Sequence, residues 1–305
     1  MTMRTYRYLH YDVFTASPFE GNQLAVFPDP AGLSTEEMQT ITREMNFSEC
    51  TFIFPSEAPG TNVRMRIFTP GEELPMAGHP TIGSTFALAA EGVIERGQKD
   101  FVFGLGVGPT PVSMEWKGDA LDFAWMTQKN PVFGAEVRDR AGFSRAIGIA
   151  ESDLASSPIQ VVSCGVPFLF AALSSRGSVD NVSVDRNAYA AACKGAGIEE
   201  LPFFLFTTDA GGSTGGEAVY SRMLAPGFGI AEDPATGGAS GPLGCYLFKY
   251  RLVPRERLAR VVSLQGVRML RPSRIYISID AKGEDVTRVR VGGRSVRVGD
   301  GRLTF

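Results

Sequence analysis

Histidine and cysteine are scarce in this chain of 305 residues. Two histidines occur, His10 and His79, and four cysteines, Cys50, Cys164, Cys193 and Cys245, with no CxxC spacing. That leaves a structural zinc site almost no ligands and points to reduced thiols in a cytoplasmic protein. No Lys/Arg cluster exists and the net charge is −3, so the electrostatic footprint of a nucleic-acid binder is missing. No run of about 18 apolar residues appears, and Met1 to Thr15 holds no apolar segment of signal-peptide length, so neither a membrane span nor an export signal is expected. Phosphate loops are missing too. Gly237-Gly238 is followed by no Lys, and Gly104 to Gly108 runs into Pro109 and Pro111 and opens no dinucleotide-binding helix. Gly211 to Gly215 fits GxSxG formally, but no helix follows and no histidine is placed as its base. No metal, nucleotide or nicotinamide cofactor is therefore expected.

What the chain does have is a long repeat. Arg66-Ile67-Phe68-Thr69-Pro70-Gly71 returns as Arg222-Met223-Leu224-Ala225-Pro226-Gly227. Behind the first copy stand Ala77-Gly78-His79-Pro80 and an uncharged run, Thr81 to Ala90. Behind the second stand Glu232-Asp233-Pro234-Ala235-Thr236-Gly237 and an uncharged run, Gly238 to Phe248. An offset of about half the chain is what tandem duplication gives. Each copy predicts a strand, a tight turn and a helix with no polar face, which must be buried all round.

In chain order, strands are expected over Tyr6–Phe14 and Gln23–Phe27. A helix follows, started by the capping box Ser34-Thr35-Glu36-Glu37 and ended at Asn46, and then a strand, Cys50–Phe54. Strands near 101–103, 111–116 and 121–126 follow the first buried helix, and Lys129-Asn130-Pro131 marks a boundary. Beyond it come a helix over 138–149, strands at 159–162 and 168–173, a helix over 184–193 and a strand at 203–206. A Gly-rich loop, 209–216, leads to the second repeat, and strands near 275–279, 289–291 and 295–298 close the chain. The expected fold is α+β: two pseudo-symmetric halves, 1–128 and 129–291, each a curved mixed sheet or barrel around a central buried helix. A strand near 292–305 returns to the first half, and a cleft separates the halves.

Both buried helices open at Gly/Pro-rich turns, Gly78-His79-Pro80 and Pro234 to Gly238. A helix N-terminus presents unpaired N–H groups that could hold a carboxylate or stabilise an enolate, or glycine and proline could merely start helices there. Each turn has a polar side chain at its mouth, His79 in one and Asp233 in the other. Glu49 stands between Phe47 and an apolar strand, either as an exposed strand-entry acid or as a desolvated carboxylate with a raised pKa, fit to exchange a proton. His79 reads as a helix-capping or a catalytic residue, and Asp233 as an Asx-turn residue or a catalytic one that orients the substrate or shares the proton traffic.

The motifs Phe14-Thr15-x-x-Pro18-Phe19-x-Gly21-Asn22, Asn46-Phe47-Ser48-Glu49, Glu73 to Pro80, Gly165-Val166-Pro167-Phe168, Glu232 to Gly237 and Gln265-Gly266 resemble the PhzF-like isomerases of phenazine biosynthesis, over nearly the whole chain. The resemblance implies the diaminopimelate-epimerase fold and a cofactor-free, usually homodimeric enzyme that moves a proton on a small carboxylate-bearing substrate. It makes Glu49 the catalytic acid/base and places Ser48, Gly78, His79, Asp233 and Gly237 in the substrate pocket. Gly238 departs from the Ser the family commonly carries there. The paired thiols of related epimerases are also missing, with no cysteine near Ala77 or Pro234. An amino-acid epimerase of the same fold and a non-catalytic small-molecule binder are the alternatives.

Overall fold

The computed structural model describes residues 3–209 and 216–305, so the Gly211–Gly215 match and most of the Gly-rich loop lie outside the described residues. The chain divides into two compact units, Met1–Thr127 with Val291–Phe305, and Gln128–Arg290. The first unit contains β1 (Thr5–Val13), β2 (Asn22–Phe27), α1 (Thr35–Met45), β3 (Glu49–Pro55), β4 (Val63–Phe68), β5 (Glu73–Leu74), α2 (Gly78–Ala90), β6 (Asp100–Leu105), β7 (Gly108–Lys117) and β8 (Ala120–Gln128). The second contains β9 (Val132–Val137), α3 (Arg140–Ala146), β10 (Ile159–Ser163), β11 (Pro167–Ala172), α4 (Arg176–Asp180), α5 (Arg186–Gly195), β12 (Phe203–Thr207), β13 (Val219–Ala225), β14 (Ile230–Asp233), α6 (Gly237–Lys249), β15 (Val261–Gln265) and β16 (Ser273–Lys282). Strand β17 (Asp285–Gly293) crosses the boundary, and β18 (Ser295–Thr304) belongs to the first unit.

Within each unit the strands pair in the same order. In the first, β18, β1 and β2 are antiparallel neighbours, β2 runs parallel to β3, β3 antiparallel to β4, and β4 parallel to β6. In the second, β9, β10 and β11 are antiparallel, β11 runs parallel to β12, β12 antiparallel to β13, and β13 parallel to β15. Strands β5 and β14 form the same short antiparallel hairpin on β4 and β13. The pairings among the described residues leave each sheet curved and open, so the barrel form of the expectation gives way to an unclosed sheet. The last strand of the chain thus takes beside β1 the place that β9 takes beside β10. The sequence reading found no strand at β9 because most of its side chains face solvent and carry no apolar alternation.

The two central helices are 13 residues long and nearly all buried. Uncharged sequence makes this possible, and small hydroxyl residues find partners inside: Thr81 donates to the Ala77 carbonyl of its own helix entry, and Ser84 pairs with Thr51 on β3 at 2.9 Å. Around α6, Phe170, Phe204, Phe206, Leu243, Leu247 and Ile277 form one core, and the other face of that sheet packs on α3 and α5 through Phe143, Tyr189 and Phe203. The expected capping box is present at Ser34 and Glu37, and Asn46 ends α1 in the left-handed conformation. The helix expected over 138–149 is shorter. It spans Arg140–Ala146, capped by Asp139 and followed by Gly148 at φ +72.

Candidate active site

The repeat is built on an arginine fork. Arg66 on β4 clasps Glu73 on β5 through Nε and a terminal nitrogen, at 2.7 and 2.6 Å. Arg222 on β13 clasps Glu232 on β14 in the same way, at 3.1 and 2.9 Å. A fork of two parallel bonds fixes a hairpin more tightly than a point charge would. Behind each hairpin a glycine closes on the proline before the helix. A Cβ at Gly106 would stand 2.9 Å from Pro75 Cα, and one at Gly266 would stand 2.5 Å from the Pro234 carbonyl oxygen. Each fork and close approach fixes the chain as it enters a central helix.

At that entry neither helix has a side-chain cap. The N-cap residues, Ala77 for α2 and Thr236 for α6, make no capping bond. Gly78 and Gly237 are the first helical residues and both are buried, while Gly238 is half-buried. Uncapped, buried N–H groups at the positive end of a helix suit an anion. A Cβ at Gly238 would meet only the Phe168 ring, at 3.8 Å, which is ordinary contact.

In the first unit, Ser48 is half-buried in the bend between α1 and β3, and Glu49 is the first residue of β3. Glu49 reaches His79, the second residue of α2, with Oε2 3.2 Å from the ring Nε2. The other ring nitrogen, Nδ1, lies 3.3 Å from Asn22 Nδ2. Nε2 and Glu49 Oε2 are in contact without forming a hydrogen bond with each other. His79 is 3% exposed. Burial depresses its pKa to about 3, against a smaller opposing effect of the Gln23 backbone. The imidazole is uncharged at neutral pH, because desolvation outweighs the Gln23 backbone.

In the second unit, Asp233 ends β14 and is buried. The Thr236 hydroxyl donates to Asp233 Oδ2 at 2.5 Å, and Gln265 at the end of β15 bonds both residues. Strand register pairs Ile67 with Leu74 and Met223 with Asp233. Asp233 is therefore the counterpart of Leu74, and His79 the counterpart of Gly238. His79 and Asp233 stand at the entries of the two helices, as expected, without being counterparts of each other. The 3-10 turn Pro226–Phe228 makes the second hairpin three residues longer, so counting from the arginines misaligns the helix entries. The sequence marks no role for Asn22, Thr236 or Gln265, since Asn22 and Gln265 find partners 57 and 29 residues away and Thr236 meets Asp233 only through the folded turn.

Among the described residues no group of three or more His, Cys, Asp or Glu side chains is placed to hold a metal ion, and no helix is long and apolar enough to cross a membrane. A groove of about 550 Å³ on the first unit is lined by Arg64, Arg66, Glu57 and Glu73 with their charges paired, and Glu49 and His79 do not line it.

Residues 11–301 match the family described as phenazine biosynthesis-like protein. The chain is 35% identical over 298 residues to the trans-2,3-dihydro-3-hydroxyanthranilate isomerase of Pseudomonas aeruginosa, covering 97% of this chain and 99% of that one. The crystal structure of a PhzF-family phenazine biosynthesis protein from Bacillus anthracis is similar with a TM-score of 0.85 at 25% identity, covering 98% of this chain and 99% of that one. A hydroxyproline epimerase from Agrobacterium vitis shares the fold, with a TM-score of 0.67 at 13% identity, covering 100% of this chain and 92% of that one.

Proposed function

The chain belongs to the phenazine biosynthesis-like family of PhzF-like isomerases, and from that premise we propose a cofactor-independent isomerase that moves a proton within one small carboxylate-bearing substrate. Glu49 is the acid/base. The observation that carries this reading is the pair made by Glu49 and the buried, uncharged His79, 3.2 Å apart. As a carboxylate Glu49 accepts a proton from a substrate carbon, and as an acid, its proton exchanged with solvent in between, it delivers one to another carbon. Throughout, the uncharged ring of His79 packs against it and does not compete as an acid. The uncapped N-termini at Gly78–His79 and Gly237–Gly238 suit the substrate carboxylate or an enolate developing beside it. Ser48 adds a hydroxyl next to Glu49, and Asp233 orients the substrate.

The relative from Pseudomonas aeruginosa makes trans-2,3-dihydro-3-hydroxyanthranilate the first compound to try. The open space at Gly238 stands where a family hydroxyl would reach, so the substrate here makes one polar contact fewer or fills that space itself. The working form is read as a homodimer, as the resemblance implies, and as cytoplasmic, from its cysteine usage, which sedimentation equilibrium and fractionation would check. The reaction is tested in D2O with that compound and a panel of cyclic and acyclic amino acids. One solvent deuteron incorporated with a shifted double bond is the expected product. Deuterium at the α-carbon with no double-bond shift would replace this reading by epimerisation. Activity lost to a chelator and restored by a divalent ion would end the cofactor-independent part.

A further inference from the structure

Gln265 is fully buried at the end of β15, and its side-chain amide has only one possible orientation. Its Nε2 donates to the Asp233 backbone carbonyl at 2.8 Å, and its Oε1 accepts the Thr236 backbone N–H at 3.1 Å. A carbonyl can only accept and an N–H can only donate, so flipping the amide would break both bonds. The second Nε2 hydrogen then goes to Thr236 Oγ1 at 2.9 Å. The hydroxyl, already an acceptor there, has its one proton left for Asp233 Oδ2, 2.5 Å away. The chain of donors runs one way, from Gln265 through Thr236 to Asp233.

The first unit provides an internal control. The register that matches Leu74 with Asp233 matches Ala77 with Thr236 and Leu105 with Gln265. The same hairpin, turn and helix entry is built there on three apolar side chains, and the turn is held by the Val107 N–H on the Pro75 carbonyl at 3.1 Å. The fold does not need a buried amide, hydroxyl and carboxylate at these positions, and burying them is costly unless each is satisfied.

We infer that Gln265 is a positioning residue which, through Thr236, holds Asp233 ionised with Oδ2 fixed as an acceptor. A hydrogen bond donated to the charged form of an acid favours that form. Asp233 then meets its ligand as an acceptor of hydrogen bonds rather than as an acid. The charged groups on the neighbouring strands, Arg222 on β13 and Glu232 on β14, are paired with each other, and β15 and the first turn of α6 carry no charge. The consequence for turnover rests on the proposed role of Asp233, but its ionisation can be measured with no substrate present.

The measurement is the carboxyl carbon resonance of Asp233 against pH, in protein labelled at aspartate side-chain carboxyls and assigned by its loss in Asp233→Asn. Thr236→Val removes the hydroxyl at nearly constant shape, Gln265→Leu installs the first unit's residue, and Thr236→Ser restores the donor. The titration midpoint of Asp233 is expected to rise by about one unit or more in Thr236→Val and Gln265→Leu, and to return toward wild type in Thr236→Ser. Should Gln265→Leu fail to fold, the Thr236 pair decides alone. Equal midpoints in folded wild type and Thr236→Val would overturn the inference. A raised midpoint in a protein inactive on every compound tried would leave it standing and count against the proposed function instead.

Discussion

The two units run the same strand order, the same arginine fork and the same close glycine–proline contact, yet they place different chemistry at the head of the central helix. The first offers a carboxylate beside an uncharged imidazole, Glu49 and His79. The second has a half-buried glycine where His79 would fall, and a carboxylate held by a hydroxyl, Asp233 and Thr236, where the first has Leu74 and Ala77. Glu49 has no acidic counterpart either, since the register of β3 on β4 and β12 on β13 sets it against Pro202. Duplication conserved the frame and freed the helix entry to diverge. Whatever differs at those entries is not required by the fold.

The largest expected effect that separates the units is on stability. Arg222 and Glu232 are both mostly buried, whereas Glu73, the partner of Arg66, is well exposed. Arg222→Ala leaves a buried carboxylate unpaired and should cost about 3–5 kcal/mol, while Arg66→Ala should cost about 1 kcal/mol or less. Urea unfolding of the two variants measures both, and equal losses would show that burial does not distinguish the forks.

A smaller effect concerns pH. The folded pKa of His79, about 3, lies below its unfolded value of about 6.5. The unfolded chain therefore takes up the proton first. The stabilisation by neutral His79 is complete above about pH 6.5 and is lost as pH falls toward 3. His79→Gln should flatten the fall of the urea midpoint across that window, and an unchanged slope would mean that the ring is already charged in the fold.

The smallest effect is at Gly238. Because a Cβ there makes only ordinary contact with Phe168, Gly238→Ser should change stability by less than about 0.5 kcal/mol. Any change it makes in KM then reports the substrate rather than the fold.

Much of the frame was legible in the sequence. Uncharged runs can only be buried helices, Ser34 to Glu37 can only start one, and Arg66 and Arg222 announced the repeat. Strand β9 was illegible because it is mostly exposed, and α4 because five residues leave too little periodicity. At the site, Glu49 stood out as an acid placed against apolar sequence. Asn22, Thr236 and Gln265 did not, since a buried polar residue is recognised by its partner, and Gln265 lies 29 residues from Thr236. That His79 and Asp233 are not counterparts shows only in strand register, because the second hairpin is longer.

The central claim is that the first unit carries the proton and the second orients the substrate. Proton transfer by a placed acid/base is worth about 10²–10⁴ in rate. The direct measurement is turnover with deuterium uptake for Glu49→Gln beside Asp233→Asn, on a compound that wild type converts. Glu49→Gln should lose at least that factor in kcat with KM nearly unchanged, and Asp233→Asn should lose activity in part through KM. Normal turnover by Glu49→Gln with a dead Asp233→Asn would contradict the claim and hand the proton to the second unit.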